Sequence, residues 1–460
     1  MTNIWLNKKQ YLALTIVLFL LIFIWIRGGL DVVYLDTDLG RDLSEMSKLW
    51  IGTKVIWLGP RLSPGFHASP IYYYIFYPAL IISHGNANSL IIFNLILATL
   101  SLGLFGYLGI KRFGTSFLLV IGMIGLFPWW SSIVLHPGNG YTYVIWLLLS
   151  LSCLWFELPL FFSALFLGLA TSFHPAAIFA ITLLFYEWFR RKHKFTRLLQ
   201  IIFGFLLPWF PIIIFEIITK GYLFRQWYTH PKMGIFLQFQ MNNLQSIVNS
   251  SYFNFPIALI ILTLTLIALF SSSKRHRVWF FLTMINLSLF SIISLVPTHY
   301  LLGISCILMF VVMIILIQKL WGRWILFAMI MLYLFNTIFF TPYPTQSKRP
   351  ISKIKNIVDV FVNKSKINKK NKIAVIAVLD YENKVPQADD YRFFLRMKGL
   401  DVLDVTNYSQ ADILIMFIEE KNFNYQKWST WESDQFGSKK KIDETIIEGI
   451  KIITYLKKNN

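Results

Sequence analysis

The sequence predicts an α-helical polytopic membrane protein of about eleven transmembrane helices, followed by a small α/β domain outside the membrane. Three observations predict it. Of 460 residues, 56% are apolar and only 14% are charged, against about 25% charged in a typical soluble domain. The apolar residues gather in runs on the scale of the ~17–25 residues that cross a bilayer as a helix. The charges divide unevenly: residues 1–341 hold 22 Lys and Arg against 8 Asp and Glu, and residues 342–460 hold 21 against 15. A mean hydropathy of +0.57 excludes a water-soluble globular enzyme and a disordered chain.

The runs fall at 11–27, 88–110, 116–135, 140–157, 160–173, 175–189, 198–219, 255–271, 278–296, 300–318 and 324–341. The first follows Lys8-Lys9 without a small-residue cleavage site and reads as a retained anchor. Pro175, after His174, predicts a break between two short helices. Lys8-Lys9, Lys111-Arg112, the basic cluster from Arg190 to Arg197, Lys274 with Arg275 and Arg277, and Lys319 with Arg323 all fall in alternate short connections. These are 14 of the 22 basic residues. The other eight lie in or beside two long loops, 28–87 and 220–254. Cytoplasmic loops carry the basic excess, so the N-terminus is expected inside a plasma or inner membrane and the C-terminal domain outside. The same bias accounts for the net charge of +20 without nucleic acid.

Counting PIYYYIFYPALIIS (70–83) as a crossing would turn every later basic cluster outward. It therefore reads as an interfacial or re-entrant helix, with its tyrosines at headgroup level. Cys153 and Cys306 lie inside apolar runs and form no disulfide framework. Residues 1–341 thus form the membrane body, with 28–87 as its first outer loop. Residues 342–371 read as a basic linker and 372–460 as an accessory or acceptor-docking domain. That domain has strands at 373–380, 401–405, 412–420 and 450–456, and a helix at 388–399 closed by Gly399. No Gly-rich loop follows its first strand, which argues against a nucleotide site. The aromatics of 423–431 suit stacking on sugar rings.

The scarce acids locate the candidate site. Five of the eight in the membrane body are Asp31, Asp36, Asp38, Asp42 and Glu45. On a helix, Asp38, Asp42 and Glu45 fall within about 60° of one another, beside an apolar stripe of Leu39, Leu43, Met46 and Trp50. This is the pattern of a surface helix presenting carboxylates sideways; the plainer reading is a solvated acidic loop. Asp36 and Asp38 are an Asp-x-Asp pair, which also suits a divalent ion such as Mg²⁺ or Mn²⁺. His67, His84, His136, His174, His230 and His299 fall at outer helix ends, either as ligands for phosphate, sugar hydroxyl or metal, or as ordinary polar termini. Glu216, within IIIFEII, is expected to face a wet cavity or a structural ion pair. Asp38 and Arg41, one turn apart, place a carboxylate able to act as a base beside a guanidinium shaped for anionic oxygens.

The run DTDLGRDLSEMSKLWIGTKVIWLGPRLSPGFHASPIYYYIF resembles the first outer loop of C-type glycosyltransferases. It is most similar to the protein mannosyltransferase and aminoarabinose transferase group (glycosyltransferase family 39-like). The positions that carry the resemblance are Asp38, Gly40, Arg41 and Asp42, then Gly59-Pro60, then Pro70, Tyr72 and Tyr73. LHPGN (135–139) and THY (298–300) are weaker matches. The resemblance covers residues 1–341. It implies inverting transfer of a sugar from a polyprenyl-phosphate-linked donor to a glycan, lipid or protein acceptor on the outer face. It also implies that Asp38 is the base, with Asp36 and Asp42 beside it. Substrate contacts are expected from Arg41, Arg61, His67, Tyr72, Tyr73, His136, Asn139, His174, Glu216, His299 and Tyr300. One departure matters: the aminoarabinose-type enzymes carry a Lys where Ser69 stands, so Arg41, Arg61, Lys54 or His67 must meet the donor phosphate. The alternatives are a transporter or flippase of lipid-linked glycans, which predicts paired broken helices with polar midplanes, and a non-catalytic scaffold of polysaccharide assembly.

Overall fold

The computed structural model describes residues 6–52, 55–61, 67–191, 195–229, 255–292, 298–339, 347–365, 367–379, 388–420, 423 and 430–458. Each of the eleven apolar runs is helical over its described residues. The helices of residues 1–341 are α1 (Lys8–Ile26), α2 (Thr37–Trp50), α3 (Ile71–Ile82), α4 (Asn88–Phe113), α5 (Leu118–Leu126), α6 (Pro128–Leu135), α7 (Asn139–Trp155), α8 (Leu160–Phe173), α9 (Ile181–Arg190), α10 (Phe195–Leu206), α11 (Phe210–Ile218), α12 (Tyr222–Thr229), α13 (Phe255–Phe270), α14 (Lys274–Ile292), α15 (Thr298–Leu316) and α16 (Leu320–Phe339). By length and composition, four spans among the described residues can each cross a bilayer, or five with the bent α5–α6 pair. The pair bends by 70° where Pro128 interrupts the hydrogen-bond ladder. The break at His174-Pro175 is present: α8 stops at Phe173 and a 3₁₀ turn, Pro175–Ala180, leads into α9.

The chain divides into two compact units. One comprises residues 1–30, 57–76 and 89–345, and the other 31–56, 77–88 and 346–460. In the first, small residues set the helix spacing, as expected where lipid supplies no hydrophobic drive between helices. A Cβ at Gly168 would lie 2.3 Å from the Phe205 carbonyl oxygen, and one at Gly204 would lie 2.6 Å from that of Phe161. These contacts bring α8 and α10 backbone to backbone. Ser150 and Ser163 hold α7 to α8 by each donating to the other's carbonyl, at 2.8 and 2.9 Å.

The second unit is built on a five-stranded sheet, β1 (Lys372–Val378), β2 (Asp401–Val402), β3 (Ile413–Ile418), β4 (Lys439–Ile447) and β5 (Ile450–Lys457), in the order β2-β1-β3-β5-β4. The first three are parallel, and β5 runs antiparallel to β3 and β4. Helices α17 (Ile351–Lys364), α18 (Asp389–Met397) and α19 (Trp431–Phe436) complete it. β1 and β3 are apolar and buried almost throughout, as strands covered on both faces must be. Gly399 follows α18 with φ +76°, the left-handed cap expected of it.

Two expectations change. Residues 351–364 lie within the stretch expected as a linker but form a helix, because Ile351, Ile354, Ile357, Val358 and Phe361 fall on one buried face. The lysines between them hide that period. The acidic segment of the first outer loop also does not form one body with residues 1–341, since 31–56 belongs with the C-terminal unit.

Candidate active site

The acidic segment forms α2 for local reasons. Asp36 is its N-cap, accepting from the Leu39 amide at 2.7 Å, which satisfies one orphan donor of the first turn. Leu39, Leu43 and Met46 are buried as the stripe predicts, whereas Trp50 stays exposed. Within its unit the neighbouring face of Gly40, Ser44 and Ser47 meets α18. Gly40 is the point of closest approach, where a Cβ would lie 3.1 Å from Asp390 Cβ. The glycine of the Asp38–Asp42 pattern thus has a packing reason.

The three carboxylates do not remain equivalent. Arg41 donates to Asp38 Oδ1 at 2.7 Å and to Asp42 Oδ1 through Nε at 3.1 Å and Nη2 at 2.9 Å. The Asp42 side chain is fully buried and that of Asp38 is 65% exposed. Glu45 instead pairs with Lys48 at 2.6 Å. Of the acids expected on one open face, Asp38 is the one presented to solvent beside a guanidinium. Asp36 and Asp38, considered above for a divalent ion, are engaged as a helix cap and by Arg41 respectively. Among the described residues no group of three or more His, Cys, Asp or Glu side chains is arranged to hold a metal ion.

Two arginines that the sequence did not single out hold this segment. Arg396, on α18, is 4% exposed. It donates to the Ser44 carbonyl (3.2 Å), Ser44 Oγ (3.1 Å) and Ser47 Oγ (3.3 Å) on α2, and to Val402 O and Asp404 Oδ1, both at 3.1 Å. Arg349, also 4% exposed, donates to the Leu35 carbonyl at 2.6 Å, to both Glu419 oxygens at 2.9 and 3.1 Å, and to Asp390. Burial pushes the Glu419 carboxyl above its ordinary range, against the pull of Arg349. Buried arginines are rare unless paired, but a lone Arg in a sequence carries no mark of burial.

In the other unit, the residues expected to contact substrate gather partly around His174. Its ring is 1% exposed, stacks on Tyr143 at 4.9 Å and meets Tyr300 edge-on at 4.1 Å. Its Nδ1 accepts from the Ala176 amide at 3.3 Å, capping the 3₁₀ turn. Asn139, nearly buried, donates to the Phe173 carbonyl at 3.1 Å. Tyr143 was not anticipated; its hydroxyl accepts from the Gly303 amide at 2.7 Å.

The other residues expected at the substrate have partners within the protein. Tyr72 and Tyr73 are fully buried, and the Tyr72 hydroxyl donates to the Pro137 carbonyl at 2.7 Å. Ser69 is likewise interior, donating to Pro208 O at 2.8 Å. Glu216 accepts from the Leu223 and Phe224 amides at 2.8 and 3.3 Å, capping α12. His136 Nδ1 bonds Ser132 O at 2.9 Å. His67 Nδ1 bonds Gly59 O at 3.0 Å, and its backbone bridges to that of Arg61, whose side chain is exposed. Lys54 and the His299 side chain lie outside the described residues, as does most of 423–431.

No family model and no curated protein matches the sequence. Solved structures match in fold. ArnT from Cupriavidus metallidurans in the apo state superposes with a TM-score of 0.54 at 11% identity, over 96% of this chain and 97% of that one. ArnT bound to undecaprenyl phosphate superposes with a TM-score of 0.58, again at 11% identity, over 98% of each. The chain is therefore similar in fold to ArnT from end to end, and the C-type glycosyltransferase fold expected from its first-loop residues is the fold it has.

Proposed function

We propose that the chain is an integral-membrane inverting glycosyltransferase that moves a sugar from a polyprenyl-phosphate-linked donor to an acceptor on the extracytoplasmic face, with Asp38 as general base. The observation that carries this reading is the end-to-end likeness to an ArnT structure bound to undecaprenyl phosphate. Asp38 takes the proton of an acceptor hydroxyl, whose oxygen attacks the anomeric carbon from the face opposite the leaving group. The bond from that carbon to the phosphate oxygen breaks, and polyprenyl phosphate departs with the electron pair. Arg41 supplies a planar fork suited to phosphate oxygens. Because Asp38 and Asp42 share it, a donor phosphate that draws Arg41 away leaves Asp38 open to the acceptor.

Purified protein supplied with undecaprenyl-phosphate-linked sugars and an envelope lipid or glycan extract should release undecaprenyl phosphate and form a glycosylated product, both read by mass spectrometry. Movement of intact donor across vesicle membranes with no product would instead establish the transporter reading. For sidedness, a cysteine at Lys440, exposed on β4, is expected to react with a membrane-impermeant maleimide in intact cells. Labelling only after lysis would place the C-terminal unit in the cytoplasm and rule out the proposed outer-face site.

A further inference from the structure

A cavity of about 560 Å³ opens among the α7–α8 connection, the end of α9 and the start of α10, lined by Glu157, Leu160, Arg190, Arg191, Arg197 and Gln200 among others. Its size is that of a small-molecule site. Most of its charges are already committed. Glu187, fully buried, accepts from Arg190, Arg275 and the Trp279 indole, each at 2.8 Å. Glu157 accepts from Arg190 at 2.6 Å and Arg275 at 3.2 Å. Arg191 donates to the carbonyls of Leu158 and Leu154 at 2.7 and 2.8 Å. Three guanidiniums thus meet two carboxylates, and Arg197 adds a fourth positive charge to the cavity wall. Arg197 and Gln200, one turn apart on the cavity side of α10, have no hydrogen-bond or ion-pair partner among the described residues.

Their place in the fold says what would use those donors. They lie in the first turns of the 24-residue apolar span Phe195–Ile218, so the cavity sits where a bilayer's headgroups begin. Phe195, Leu199 and Phe203 form a stripe, 69%, 49% and 62% exposed, whose Phe203 edge lies about 60° round α10 from Gln200, and along it hydrocarbon can lie. Basic pockets at span ends are suited to phosphate headgroups, and guanidinium is the side chain best shaped for them.

We propose that this cavity seats the phosphate headgroup of an anionic phospholipid, held by Arg197 and Gln200 with Arg190 behind, its acyl chains on the Phe195–Leu199–Phe203 stripe. The site is separate from the proposed transfer chemistry. In native mass spectrometry of the detergent-purified full chain, phosphatidylglycerol should be retained at least tenfold more than phosphatidylcholine. Arg197→Gln should lower that retention about tenfold, and Arg197→Glu should abolish it. Both variants leave the Glu187 network untouched and should melt as the unaltered protein does. Equal retention of the two lipids, or unchanged retention in both variants, would overturn the proposal. Displacement of phosphatidylglycerol by an equal concentration of glycerol phosphate would also overturn it, by showing a site for a soluble anion rather than a lipid.

Discussion

Asp38→Asn is expected to slow sugar transfer about a thousandfold while leaving the protein's melting temperature unchanged. General-base catalysis contributes on the order of 10²–10⁴ in rate, and an amide oxygen cannot take the acceptor's proton. The fold should tolerate the change because Asp38 is exposed, and its bond to Arg41 is an i,i+3 surface contact of the kind that contributes about 0–1 kcal/mol. Its neighbours separate the two effects. Asp36 acts as a helix cap, a role Asn fills as well as Asp, so Asp36→Asn should be nearly silent. Asp42 is a buried partner of Arg41, so activity lost on its replacement should come with lost stability. Turnover by purified Asp38→Asn at the unaltered protein's rate would remove Asp38 from the mechanism.

The second large effect is expected at Arg396, far from any reacting atom. Arg396→Met deletes five hydrogen bonds, strips the Ser44 and Ser47 hydroxyls of their buried donor and leaves Asp404 with Lys48 alone, at 3.0 Å. Breaking a buried pair costs about 3–5 kcal/mol; with Asp404 one-third exposed, about 3 kcal/mol is the expected cost. At about 1.4 kcal/mol per factor of ten, amides in the hydrogen-bonded turns of α2 should exchange with solvent roughly a hundredfold faster. Transfer should fall with them, because an acceptor hydroxyl needs its base held within hydrogen-bond reach. Unaltered exchange across residues 37–50 would show that Arg396 does not hold the helix.

How much of this was legible in the sequence depended on whether the cause was local. The apolar runs became helices because lipid-facing and buried positions are both apolar, so composition alone marks them. The Pro175 break, the Leu39–Leu43–Met46 stripe and the Gly399 cap were readable for the same reason. β4 was not: Lys439–Ile447 is a sheet edge, mostly exposed and charged, which suits an edge strand and erases the alternation that marks other strands. The capping role of Glu216 was not legible because its partners, the Leu223 and Phe224 amides, lie beyond a turn that hydropathy does not register. Asp42 and Asp38 look alike along the chain, and only the folded structure makes one interior and the other open. The roles of Arg349 and Arg396 were invisible because both reach across more than 300 residues.

That separation has a consequence for how the protein is made. The segment bearing Asp38 leaves the ribosome early, yet Arg349 and Arg396, which bind the Leu35 carbonyl and the Ser44 and Ser47 hydroxyls, follow more than 300 residues later. Throughout translation of the intervening helices it waits without those partners, a state open to chaperones and proteases. The lasting seat of the acidic helix is thus set late in synthesis, when the two arginines stitch an early piece of chain into place.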